Sequence, residues 1–239
     1  MLARGKATMV VDGIHARFYV SSIRELQRVA VLSGEKAILS RVLRELRAGD
    51  TIYDIGANIG THSVAFAKQI GDSGAVVAFE PEPGAAGRLT RNVDLNGLSN
   101  VQIMGFALGG AEFTATLYVD GVDGSGKHRM TASAGWPTQE VRIAAGDDLV
   151  GAGSIPAPNV IKIDVEGEEL GVLAGLKSAL AEPDCRLVLC EVHRDMLEEK
   201  GHDPSEVEET LRAAGFTRFE NSRRGFEDHL IAWKESSPG

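Results

Sequence analysis

Two short runs carry residues whose types and spacing suit chemistry on a nucleotide. Thr51 to Gly60, TIYDIGANIG, joins an apolar strand to a glycine turn that opens a helix, and Val76 to Pro81, VVAFEP, ends a second apolar strand in the carboxylate of Glu80. A strand, a glycine turn, a helix and a second strand with an acidic tip form the arrangement that holds a nucleoside-containing cofactor. Gly56 lets the backbone turn without a Cβ clash, and Gly60 is expected to let the helix sit close to the sheet. The helix N-terminus offers unpaired N–H groups to an anion. Glu80 can accept both hydroxyls of a ribose. Asp54 could contact the cofactor directly or brace the turn through backbone hydrogen bonds.

The spacing of the glycines bears on which cofactor this is. A dinucleotide site carries Gly-x-Gly-x-x-Gly, because a pyrophosphate lies against bare backbone at the second glycine. Asn58 occupies that place here, and Asp54-x-Gly56-x-x-x-Gly60 suits S-adenosylmethionine, whose amino-acid end is slimmer. Ala57, Asn58 and Thr61 in the turn, Pro81 beside Glu80, Phe106 and Ala107 after the third strand, and Asp164 after the fourth complete the expected cofactor contacts. Ordinary core packing is the rival explanation for Phe106.

Positioning these groups requires alternating strands and helices. Apolar residues at helical spacing from Ile23 to Arg47, broken at Ser33-Gly34, predict two helices before the first strand. Strands follow at about Thr51–Ile55, Ala75–Phe79, Val101–Met104, Val160–Ile163 and Cys185–Cys190. A helix ends at Gly71, another runs to Leu95, and Phe113–Val119 with Glu140–Ile143 predict an added β-ribbon. Asp203, Pro204 and Glu206 form a helix-start signal, and Phe216–Glu220 with His229–Trp233 a closing antiparallel hairpin. The expected fold is α/β, a doubly wound, Rossmann-like, mostly parallel sheet. Its expected divisions are an N-terminal helical cap over 1–48, a cofactor-binding domain over 49–234 with an insertion at about 112–145, and a disordered tail over 235–239.

Parallel strands with right-handed crossovers bring their carboxyl ends to one edge. Asp54 and Gly56, Glu80, Asp164, and Glu191 with His193 therefore converge in space, and buried carboxylates there need partners. Asp54-Ile-Gly-Ala-Asn-Ile-Gly60, Phe79-Glu-Pro81, Ile161-Lys-Ile-Asp-Val-Glu-Gly-Glu-Glu169 and Glu191-Val-His193, in this order, closely resemble the FkbM-like family of S-adenosylmethionine-dependent methyltransferases. The resemblance spans about Glu35 to His193. It implies the class I methyltransferase fold, S-adenosylmethionine as cofactor, and transfer to a hydroxyl of a sugar, glycan or other small metabolite. Glu35 is either a family-like upstream acid that closes over the cofactor or part of a solvated helix face. A nicotinamide-dependent oxidoreductase and a non-catalytic nucleoside-binding protein are the alternatives.

Methyl transfer from a sulfonium needs the acceptor oxygen in line with the C–S bond and a destination for its proton. His193, Glu191 and Asp164 are the catalytic candidates. Glu191 and His193, two apart, project to one side of an extended segment. A carboxylate, carboxylate, imidazole set also suits a divalent metal, held as the lesser possibility beside a general base. Asp164 has a second reading as a helix N-cap, and Glu166, Glu168 and Glu169 as helix-dipole partners, with Glu166 alone facing the cleft. Lys162, inside an apolar strand, needs an ion-pair partner. His62 reads as structural. Lys127, His128 and Arg129, in a long glycine-rich segment between Val119 and Thr138, are candidates to bind an acceptor carboxylate or phosphate.

The whole-chain balance is acidic, with 34 acidic against 25 basic residues and a formal charge of -9, which argues against broad attraction to nucleic acid. No apolar run is long enough for a membrane span, and no secretion signal is apparent. Cys185 and Cys190, read as one strand's opposite faces, cannot pair, so a reducing, cytoplasmic setting is expected. The acceptor's identity and the oligomeric state stay open.

Overall fold

The computed structural model describes residues 5–32, 35–119, 128–130, 135–224 and 227–235. It begins with a hairpin, β1 (Gly5–Val11) and β2 (Ile14–Val20), where only helix was expected before the first parallel strand. The signal was present: Asp12-Gly13, both at positive φ (44° and 79°), joins two runs that alternate buried and exposed residues, the pairing a two-residue hairpin turn requires. Met9, Val11, Ala16 and Phe18 face the core. The free edge of β2 is covered by amide side chains, since the Tyr19 N–H donates to Asn92 Oδ1 (2.9 Å) and the Arg17 N–H to Asn96 Oδ1 (3.0 Å). Helices α1 (Ile23–Val31) and α2 (Lys36–Leu43) follow. Ser22 Oγ accepts the Glu25 N–H while Glu25 accepts the Ser21 N–H, a reciprocal cap that starts α1. The expected break at Ser33-Gly34 lies outside the described residues.

The central sheet is built from β3 (Thr51–Ile55), β4 (Ala75–Phe79), β5 (Val101–Met104), β10 (Val160–Ile163), β11 (Leu187–His193), β12 (Arg218–Arg224) and β13 (Glu227–Trp233). Its order is β12-β13-β11-β10-β3-β4-β5. The five strands from β11 to β5 run parallel, and β13 and β12 close the sheet antiparallel. The parallel strands carry apolar side chains on both faces because helices cover both. On one side α3 (Thr61–Ile70) and α4 (Pro83–Leu95) pack with the hairpin and α2. On the other lie α6 (Glu169–Gly175), α7 (Lys177–Ala181), α8 (Arg194–Glu199) and α9 (Ser205–Ala213). A second sheet, β6 (Ala107–Leu108), β9 (Thr138–Ala144), β7 (Phe113–Val119) and β8 (His128–Arg129), contains the expected ribbon, and α5 (Gly146–Gly151) leads from it to β10. The helix start at α9 uses the residues read from sequence: the Ser205 N–H donates to Asp203 Oδ1 and the Asp203 N–H to Glu206 Oε1.

The expectation for the cysteines changes. β11 begins after Cys185 and runs on to His193, so the odd spacing of the cysteines does not separate them. Both are buried, free thiols in the same core layer. Residues 236–239 of the expected tail lie outside the described residues. Among the described residues no helix is long and apolar enough to cross a membrane.

Candidate active site

The chain runs outward from β3 through β4 to β5, then returns to place β10 on the other side of β3. The crevice at that reversal is where open α/β sheets hold ligands. Gly56 follows β3 and Asp164 follows β10, so the two flank it. Gly56 has φ +77°, and a Cβ there would stand 1.9 Å from the Asp164 carbonyl oxygen; no other residue fits. The N–H groups of Gly56 and Ala57 both donate to the Phe79 carbonyl (3.0 Å each), folding the turn across the tip of β4. Asn58 sits in the left-handed region at φ 53°. Its N–H donates to Glu80 Oε2 (2.9 Å), and its own Oδ1 accepts the Ile59 N–H (2.8 Å). Gly60 serves a different contact from the expected one: a Cβ would stand 2.2 Å from Leu89 Cδ1, so this glycine admits α4.

A cleft open to solvent occupies the crevice. Gly56, Asn58, Glu80, Pro81, Ala107 and Asp164 line it, together with Leu117 of β7 and Met130 just after β8. Asp54, Ala57, Gly60, Thr61 and Phe106, expected at the cofactor, do not line it. Ala57, Gly60 and Thr61 are buried. Phe106 packs edge-on against Phe79 with the Arg142 guanidinium over its ring, which favours the packing explanation. Glu80 accepts the Glu82 N–H on its other oxygen (2.9 Å). Burial pushes its carboxyl up to about 7, against the pull of these two amides.

Beneath the cleft lies a buried charge network centred on Lys162, which finds the ion-pair partners that its place in an apolar strand requires. Lys162 Nζ donates to the Gly56 carbonyl (3.0 Å) and to Asp164 Oδ2 (3.2 Å), and stands 3.4 Å from Asp54 Oδ1. Its burial would release the proton, but Asp164, Asp54 and Glu191 hold it on and raise its pKa. Asp54 is fully buried and accepts the Ser63 hydroxyl (2.5 Å), so it braces the helix start and the lysine through side chains rather than backbone amides. The signal was the lysine itself, the odd residue in Val160-Ile161-Lys162-Ile163. Asp164 caps no helix, since α6 starts only at Glu169. Burial opposes its ionisation, but Lys162 and His193 lower its pKa and keep it anionic.

His193 is buried, and its Nδ1 lies 2.6 Å from Glu169 Oε1. Glu169 is wholly buried, which replaces its expected helix-dipole role with that of the acid holding this imidazole. Burial alone would lower the His193 pKa. The Glu169 hydrogen bond and the charges of Asp164, Glu169 and Glu166 prevail and carry it up to about 9. Its Nε2 faces Glu191 Oε1 (3.7 Å) and Asp164 Oδ1 (4.0 Å). Glu191 Oε2 lies 3.4 Å from His229 Nε2, a histidine brought in by β13. Glu35 reaches the same region, with Oε2 3.7 Å from His62 Nε2. Burial and then the nearby Asp164 and Glu191 push Glu35 up to about 7, while burial and Lys162 depress His62 to about 4. Glu168 lines the cleft along with Glu166, contrary to expectation, and pairs with Lys200. Lys127 lies outside the described residues. His128 and Arg129 form β8 beside β7, and their side chains are likewise outside the description.

Residues 54–218 match the family described as the Methyltransferase FkbM domain. The chain belongs to that family. Hexuronic acid methyltransferase AglP of Haloferax volcanii is 31% identical over 226 residues, covering 95% of this chain and 88% of that protein. The 31-O-demethyl-FK506 methyltransferase FkbM of Streptomyces tacrolimicus is 30% identical over 201 residues, covering 72% and 75%. Among solved structures, a methyltransferase FkbM from Methylobacillus flagellatus superposes with a TM-score of 0.55 at 14% identity. That match covers 90% of this chain and 56% of that one, so this chain spans little more than half its length. The fold is thus that of the class I S-adenosylmethionine methyltransferases, and this FkbM-family protein is a methyltransferase. The oxidoreductase reading is set aside.

Proposed function

We propose that this FkbM-family methyltransferase transfers the methyl group of S-adenosylmethionine to a hydroxyl of a sugar, a glycan or another small metabolite. The observation that carries the reading is spatial: Glu80 and the Gly56 turn line the same cleft as Asp164, and Asp164 stands beside Glu191 and His193. In this reading the ribose hydroxyls donate to the lone pairs of Glu80 left free by the Asn58 and Glu82 amides. The amino-acid end lies by the Gly56 turn, and Pro81 and Ala107 flank the adenine. The cationic sulfonium then sits near Asp164, an anion under these conditions. The acceptor approaches over Glu191 and His193, whose reach to Asp164 defines one reactive edge.

A sugar acceptor is favoured because the hexuronic acid methyltransferase relative aligns along most of both chains. The acidic lining of Asp164, Glu166 and Glu168, with Glu191 close to Asp164, favours a neutral hydroxyl as the reacting group. An acidic acceptor would need the basic run Lys127-His128-Arg129 to hold its charge away from that lining. The test is calorimetry with S-adenosylmethionine followed by mass spectrometry of a panel of hexosides, hexuronides and aliphatic alcohols. Cofactor binding with a mass gain of one methyl on a sugar hydroxyl is the expected result. Methylation confined to carboxylates, or to no member of the panel, would refute the hydroxyl assignment.

A further inference from the structure

The geometry points to a divalent transition-metal site made by Asp164 Oδ1, Glu191 Oε1 and His193 Nε2. One ligand atom from each residue lies within 4.8 Å of the other two, and the separations from the imidazole nitrogen, 3.7 and 4.0 Å, are too long for hydrogen bonds. Each ligand atom is left over from a group whose other atom already has a neighbour. Asp164 Oδ2 faces Lys162 Nζ at 3.2 Å, Glu191 Oε2 faces His229 Nε2 at 3.4 Å, and His193 Nδ1 is held by Glu169 at 2.6 Å. Supporting partners of this kind fix ring and carboxylate orientation around a bound ion. The carboxylate on Nδ1 is especially telling, because it leaves Nε2 aimed into the shared space as the ligand nitrogen.

His193 is only 7% exposed, and its Nε2 makes no hydrogen bond among the described residues. An imidazole nitrogen with two carboxylate oxygens just beyond hydrogen-bond contact leaves a gap that a cation can bridge. An ion with ligand distances of ~2.1 Å would draw the three atoms to about 3.0–3.4 Å apart, a shift of under about 1 Å for each pair with the imidazole. One nitrogen and two oxygens favour Mn²⁺, Fe²⁺, Co²⁺ or Zn²⁺ over Mg²⁺. Asp164 also lines the cofactor cleft, so the open positions of the ion would face the proposed acceptor. A metal there makes a bound hydroxyl more acidic and fixes its orientation. The site goes beyond the proposed function and does not depend on it, because its ligands come from the protein alone.

The test is titration of the EDTA-dialysed full chain with Mn²⁺, read by the loss of the free-ion electron paramagnetic resonance signal, with Zn²⁺ competition as a second probe. One saturable site is expected. Glu191→Gln and His193→Ala should each weaken it at least ~10-fold, and Glu169→Gln by ~10- to 100-fold through loss of ring orientation, with circular dichroism melting to confirm that each variant is folded. Glu112→Gln, in the loop before β7, should leave it unchanged. Dissociation constants weaker than about 1 mM for both ions, or a site that survives Glu191→Gln and His193→Ala in folded protein, would overturn the proposal. Calorimetry of S-adenosylmethionine on the metal-free chain separates the two readings. Cofactor binding without a metal site defeats this inference alone, and a metal site without cofactor binding supports it while defeating the proposed function.

Discussion

If Glu80 receives the ribose, cofactor affinity must fall with acid in a way that one substitution removes. The carboxyl is buried at about 7 in the free protein, with one amide on each oxygen. Two ribose hydroxyls donate more strongly to the ionised form, whose two oxygens both accept with charge, so binding favours the carboxylate and pulls its pKa below the free value. Affinity then falls as pH drops through 7. Between pH 7 and pH 5 the fraction of ready carboxylate declines ~50-fold, worth about 2.3 kcal/mol, provided the bound pKa lies below 5. Glu80→Gln keeps the shape and one acceptor oxygen but cannot titrate. It should weaken binding at pH 7 by about 1–3 kcal/mol and lose this acid limb. Calorimetry of S-adenosylmethionine with both proteins at pH 7, 6 and 5 isolates the term, because other titrating groups such as Glu35 contribute to both. Equal slopes in the two proteins would refute the ribose assignment, as would a flat profile in the native chain.

The same carboxyl bears on stability of the free protein. Its folded pKa of about 7 lies above its ordinary 4.5, so its contribution is fully present below about 4.5 and is lost as pH rises through 7. Thermal melts without cofactor should therefore show Glu80→Gln gaining stability relative to the native chain between pH 5 and pH 8; a constant difference would show that burial does not perturb the group. Gly56→Ala meets the Asp164 carbonyl at 1.9 Å from a left-handed backbone, so urea unfolding should show a loss of more than about 2 kcal/mol and calorimetry no cofactor binding. Lys162→Met leaves Asp54 buried without its cation. A loss of roughly 3–5 kcal/mol is expected by the same unfolding assay, and a neutral result would refute the role of Lys162 as the hub of the network.

Local pattern determined much of this protein. The glycine turn, the acidic tip at Glu80, the parallel strands and the capping residues of α9 all depend on neighbours within a few positions, so they were legible in the chain. The Asp12-Gly13 hairpin was legible too and was passed over for the helical periodicity that follows it. Glu191 and His193 could be read as sharing a face because strand geometry alternates by two. What no local pattern encodes is which groups meet across the sheet. Glu169, in a first helical turn, looks like any dipole partner until packing buries it against His193. Glu191 gains His229 only because β13 runs antiparallel beside β11, and Lys162 becomes the hub only because β10 lies next to β3. Electrostatic energies depend on distance and burial, which the fold sets between residues far apart in sequence. The residue types were therefore written locally, while their pairings and protonation were decided by tertiary packing.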